Sequence, residues 1–201
     1  MGMARAMTAL ETLLPVALGV ALAAAVGLRV FLPLCALSVA GHFGWVPLAG
    51  EFAWLASWPA LLMLAVAAVV EIAAYYIPGV DNALDALGAP VAVLAGTVAT
   101  AAVITDLPPM VKWTMAVIAG GGMAGLTQGV TSLLRVKSTA VTGGLANPVL
   151  ATGELGGAAL ISIVALAAPL LALGAVMALA WLAIRWLRRR LRGARPGETV
   201  Q

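Results

Sequence analysis

LLMLAVAAVVEIAAYYIPG, residues 61–79, decides the class of this chain. Glu71 is the only charged residue in it. At the centre of a membrane-spanning helix a charge costs roughly 2.5–3.5 kcal/mol. Such a carboxylate faces a bundle interior or a wet cavity, takes a partner, or is held protonated. Arg29, in AAAVGLRVFLPL (23–34), poses the same problem with the opposite sign.

The whole chain reads the same way. Its 201 residues are 63% hydrophobic and 9% charged, with a mean hydropathy of +1.09. A soluble domain carries about 25% charged residues, so this chain cannot cover a water-facing surface. At ~20 residues per span it is long enough for five to seven spans. The expectation is all-α: one polytopic transmembrane bundle over 1–190, followed by a basic, disordered cytoplasmic tail over 191–201.

The net charge of +3 is a topology signal. Six of the nine arginines fall between Arg185 and Arg195, directly after an apolar segment. That marks a cytoplasmic C-terminus in contact with anionic lipid headgroups, and not a nucleic-acid surface. The single cysteine, Cys35, allows no internal disulfide and reads as a packing residue. His42 reads as an interfacial polar group. Apolar sequence runs on to Ala40, too long for a signal peptide, so the first segment is expected to be retained.

Six apolar segments are expected. The first, 13–40, would reach about 42 Å as one helix, and Gly27 and Pro33 bracket Arg29 where a kink or unwinding is expected. A loop with Trp45, Trp54 and Trp58 as interface anchors follows. The second segment is 58–77. After the Pro78–Gly79 turn, Asp81 is expected to cap a short helix carrying Asp85. The third, 90–105, places Thr97 and Thr100 near Gly96. The fourth, 112–134, sets Gly121, Gly125 and Gly129 four apart, a small-residue stripe for helix packing or dimerisation. Gln128 lies in the same stretch and wants a buried partner.

The polar stretch 135–157 comes next. Asn147-Pro148 reads as a helix start, with Asn147 as N-cap, and Glu154 follows within two turns. The remaining apolar stretch, from 149 to 187, would reach about 58 Å as one helix. Either it folds back near Pro169, or a re-entrant or broken-helix element near 138–157 precedes one long helix. Placing Arg135 and Lys137 on the cytoplasmic side favours six segments over five. GVALAAAVG (19–27) and GGMAGLTQG (121–129) suggest a 3+3 inverted repeat.

AAYYIPGVDNALDALGAPVAVLAGTV (73–98), KWTMAVIAGGGMAGLTQG (112–129), STAVTGGLANPVLATGELGG (138–157) and GLRVFLPLCALSVAG (27–41) together resemble a bacterial membrane-protein family catalogued as domain of unknown function 4126. The resemblance covers about 14–187. It implies a compact polytopic protein of the bacterial inner membrane and carries over no activity.

The functional expectation is a transporter or channel-like permeation protein for a small solute, an ion or a lipid. Its candidate binding or coupling residues are Arg29, Glu71, Gln128, Asn147, Glu154, Thr97 and Thr100. A helix starting within the membrane near Asn147 would aim free N–H groups at an anionic group. The alternative is a non-transporting assembly or lipid-organising subunit. There Arg29 and Glu71 form one buried ion pair, and Glu154 accepts backbone N–H groups. The expected partners are membrane lipids, a second copy, or the permeant itself. The sequence shows no His/Asp/Glu metal cluster, no G-x-S-x-G and no H-E-x-x-H, so no catalytic residue, metal or cofactor is expected.

Overall fold

The computed structural model describes residues 2–77 and 79–193. Among them every regular element is helical. Helix α1 (Gly2–Val26) breaks at residues 27–30 and is followed by α2 (Phe31–His42). A short 3-10 helix, Gly50–Ala56, leads into α3 (Trp58–Ala74), at whose start Ser57 accepts the Ala60 N–H. Then come α4 (Val80–Val103), α5 (Pro109–Met115), a π-helical turn (Ala116–Gly121) and α6 (Gly122–Thr142). Helices α7 (Asn147–Ala167) and α8 (Pro169–Gly193) close the chain. Of the expected tail, 191–193 continue α8 and 194–201 lie outside the described residues.

Three helical stretches are long and apolar enough to cross a membrane: Ala83–Val103, Pro109–Thr142 and Asn147–Ala167. A fourth results if the 3-10 helix and α3, which meet at 65°, act as one broken span. Glu11–Val26, Phe31–His42 and Pro169–Leu182 are apolar but shorter. The expected six segments are therefore three or four full spans with shorter apolar helices beside them.

The difference has local causes. The first expected segment is two helices, because the chain unwinds around Arg29. The third begins ten residues early, since α4 runs straight through Pro90 and absorbs the short Asp81 helix. The long stretch after 149 is also two helices. Ala168 leaves the helical region at φ −149° and ψ 75°, and Pro169 cannot donate back into α7. The stretch near 138–157 is the end of α6, a turn through Gly143 and Gly144 at positive φ, and the start of α7.

Glycine contacts fix how the helices run. A Cβ on Gly19 would stand 2.9 Å from Thr100 Cα, and one on Gly96 would stand 2.5 Å from Ala124 Cβ and 3.4 Å from Ala23 Cβ. One on Gly27 would strike the Ala124 carbonyl, and one on Gly88 would lie 2.6 Å from Gln128 Nε2. Helices α1 and α6 therefore both run antiparallel to α4. The matched stretches 19–27 and 121–129 thus run in the same direction, whereas an inverted repeat needs them opposed.

The expected Gly121, Gly125, Gly129 stripe is only partly a contact. A Cβ on Gly121 would meet Thr97 Oγ1 at 2.6 Å, and one on Gly125 would meet Val93 Cγ2 at 2.9 Å. At Gly129 nothing lies within 4 Å. The row therefore leaves the α4 contact by Gly129. The tighter row is Gly120, Ala124 and Gln128, which begins inside the π turn.

Helix α2 runs back from Arg29. Its first residues touch Glu71 near the end of α3, while His42 Nδ1 lies 2.8 Å from the Ala56 carbonyl and its ring meets Trp58 at the start of α3. Together α1 and α2 form a hairpin with Arg29 at its tip.

Candidate functional site

The tip of this hairpin meets the ends of four other helices. Arg29, 1% exposed, places Nη1 3.0 Å from Glu154 Oε2 and donates from Nη2 to the Ala151 carbonyl at 3.0 Å. Glu154 also pairs with Arg135, itself 1% exposed. Arg135 Nε lies 2.8 Å from Asp85 Oδ2, and the Tyr75 hydroxyl donates to Asp85 Oδ1 at 3.3 Å. Both guanidinium groups lie over the Tyr75 ring, Arg29 at 3.8 Å and Arg135 at 4.6 Å from its centroid. Such cation–ring contacts strengthen where water is excluded.

Glu71 has a different task. Its two oxygens accept the Val30 N–H at 2.8 Å and the Phe31 N–H at 3.0 Å. These are orphan donors at the start of α2, which carries no side-chain cap of its own. A carboxylate there also answers the helix's partial positive end. The expected Arg29–Glu71 ion pair is thus replaced by Arg29–Glu154, and the backbone-capping role expected of Glu154 belongs to Glu71. The unwound chain at 27–30 is the cause, since it frees two N–H groups beside α3.

Asn147 sits at the first residue of α7 and is not its side-chain cap. Its amide nitrogen donates to Asp81 Oδ2 at 2.7 Å and Thr139 Oγ1 at 3.0 Å. Asp81 accepts the Gly79 N–H at 2.9 Å from inside the first turn of α4; the N-cap itself is Gly79, so Asp81 is not the cap expected of it. Two openings adjoin the cluster. A cavity of about 70 Å³ is lined by Tyr75, Tyr76, Asp81, Thr139, Gly144 and Asn147, among others. A groove of about 520 Å³ between α4 and α6 reaches Asp85 and Thr139. Among the described residues five buried side-chain atoms lack a hydrogen-bond partner: Arg29 Nε, Arg135 Nε and Nη1, Ser138 Oγ and Asn147 Oδ1. Of these, Arg135 Nε still faces the Asp85 carboxylate as an ion pair, and Asn147 belongs to the lining of the cavity.

Of the expected residues, Arg29, Glu71, Glu154 and Asn147 converge at one end of the bundle. Gln128 is buried on the same face of α6, about two turns from Arg135, and donates to Ser132 Oγ at 3.3 Å. Thr97 and Thr100 are brought elsewhere. Their hydroxyls bond back to the Val93 and Gly96 carbonyls at 2.8 and 2.9 Å, and their side chains fill the α4–α6 contact.

From sequence, Arg135 reads as a flank charge and Asp81 as a helix cap, while Asp85 and Tyr75 carry no role of their own. A helical-spacing signal existed. Tyr75 follows Glu71 by four, Asp85 follows Asp81 by four, and Arg135 follows Gln128 by seven, so each shares a helix face with a polar neighbour. Lys112 is also buried. At the opposite end of the bundle it pairs with Glu51, with Nζ 5.7 Å from the Phe52 ring centroid. With Arg135 and Lys112 both neutralised inside the protein, neither counts as a flank charge.

The cluster is unbalanced. Two arginines, Arg29 and Arg135, meet four carboxylates: Glu71, Asp81, Asp85 and Glu154. The starts of α2 and α4 each supply roughly half a positive charge, to Glu71 and Asp81. Carboxylates thus outnumber arginines in the cluster.

The family described as Domain of unknown function (DUF4126) matches residues 16–189, and the chain belongs to it. No curated protein and no solved structure matches the chain.

Proposed function

We propose that this member of the DUF4126 family is a small permeation protein, a transporter or channel for a small solute, ion or lipid, built around its buried charge cluster. The supporting observation is the surplus carboxylate charge beside two openings in an apolar bundle. A buried charge left unbalanced is expensive, so the cluster takes up a proton or another cation as part of its cycle. On this reading Glu71 and Glu154 hold the scaffold. Asp81 and Asp85, which face the openings, are the exchanging groups.

The α1–α2 hairpin is then the re-entrant element, in place of 138–157. Broken helices whose ends meet charged groups are a common plan for transport sites. The terminal arginine cluster supports a cytoplasmic C-terminus in a bacterial inner membrane. No catalytic residue or cofactor enters this reading.

A second reading has one observation in its favour. Glu71 and Glu154 are fully engaged by backbone donors and arginines, as a purely structural lock would require. A non-transporting assembly or lipid-organising subunit would use them so.

The two readings separate on a solid-supported membrane carrying reconstituted protein. A pH or alkali-cation jump is expected to displace charge in the wild type, and Asp85→Asn is expected to reduce that signal at least tenfold. No displacement under any jump, with the protein folded, leaves the structural lock standing.

A further inference from the structure

We infer that the cavity at the α6–α7 turn is a binding site for one alkali metal cation, held by Asp81, Asn147 and Thr139. The inference deepens the permeation reading by naming the class of ion, and rests on that reading only for turnover, not for binding.

Asn147 carries the argument. It is 4% exposed and lines the cavity. Its amide nitrogen faces the Asp81 carboxylate, which accepts hydrogen bonds and cannot donate one when ionised. That fixes the amide's orientation and leaves Oδ1 buried with no hydrogen-bond donor. An unmet buried acceptor costs about 1–3 kcal/mol, so this oxygen has something to bind.

The surroundings select a cation. The lining offers a carboxylate, an amide oxygen, hydroxyls and the backbone of the α6 C-terminal turn, and it contains no lysine or arginine. Gly143 and Gly144 at positive φ turn the chain around the cavity. Oxygen-only donor sets suit hard cations. The volume of about 70 Å³ exceeds the roughly 10–15 Å³ that one water requires, leaving room for an ion with part of its hydration shell. One lining carboxylate matches a monovalent ion. A divalent ion would want more carboxylates.

The test is thermal unfolding of the full-length protein in nanodiscs, in NaCl, KCl or choline chloride at equal ionic strength. Wild type is expected to gain about 3–6 °C at roughly tenfold the Kd of the preferred alkali ion, saturably and relative to choline. Asn147→Ala is expected to lose the gain. Should it fail to assemble, Thr139→Val is expected to weaken the ion's apparent affinity at least tenfold. Equal midpoints in all three salts, or a gain that persists unchanged in a folded variant, would overturn the site and leave the cavity to water. An alkali-specific gain without charge displacement keeps this site and removes the permeation reading. Charge displacement without the gain does the reverse.

Discussion

Glu154→Gln is expected to be the most damaging single polar substitution in the chain. Glu154 is the shared partner of two arginines that are each 1% exposed. The glutamine keeps the shape and removes the charge. Arg135 retains Asp85, but Arg29 is left with carbonyl contacts and the Tyr75 ring alone. Breaking one side of a buried pair costs about 3–5 kcal/mol. The thermal midpoint in nanodiscs should fall by about 10 °C or more, or the protein should fail to accumulate. Glu71→Gln should cost less. Its remaining carbonyl still accepts one of the two N–H groups at the start of α2, so the loss is about 1–3 kcal/mol for one unmet donor. Equal midpoints for the two variants would argue against this division of roles.

The second large effect is expected where α1, α4 and α6 touch. A Cβ on Gly120 would strike Thr100 Oγ1 and stand 2.7 Å from the Gly96 carbonyl oxygen. One on Gly27 would strike the Ala124 carbonyl and stand 3.0 Å from the Gln128 backbone nitrogen. Backbone cannot step aside as a side-chain tip can, so the helices must move apart. Overpacking of this kind typically costs about 1–3 kcal/mol, and backbone contacts belong at the upper end. Gly120→Ala and Gly27→Ala should therefore lower the midpoint by several degrees. Gly129→Ala should be nearly silent, since nothing lies within 4 Å of its added methyl. A midpoint scan of the three variants checks the ranking, and a damaging Gly129→Ala beside a silent Gly120→Ala would reverse the packing row.

Much of this architecture is legible in the chain. Hydropathy and the near absence of charge fix an all-helical membrane-type protein, because no other fold satisfies its backbone in lipid with so little polar surface, short of a closed barrel. The break at Arg29 is legible too, since Gly27, Pro33 and a charge in an apolar run agree. That Arg29, Glu71, Asn147 and Glu154 matter together is suggested by their rarity.

What the sequence does not carry is pairing. Arg29 could meet Glu71 or Glu154 on charge alone. The choice is made by the reversal of α2, which brings two orphan N–H groups to Glu71 and leaves Glu154 for the arginines. Arg135 looks like a flank charge because it follows a span and is close to Lys137. Its burial depends on α6 continuing to Thr142, past the point where hydropathy alone would end it. Gly120 is hidden among three consecutive glycines, and only the packing shows that it meets Thr100 and Gly96 while Gly122 faces open space.

The central claim is that the folded-back first segment delivers Arg29 onto Glu154. A double-mutant cycle in nanodiscs, comparing Arg29→Gln, Glu154→Gln and the pair with wild type by thermal unfolding, tests it most directly. Direct partners in one buried network couple by about 0.5–3 kcal/mol, and a pair 1% and 9% exposed belongs near the top of that range. Arg29→Gln should therefore be costly in the wild-type background and nearly free once Glu154 is glutamine. Strictly additive losses, with Arg29→Gln costing the same in both backgrounds, would contradict the pairing and the hairpin that creates it.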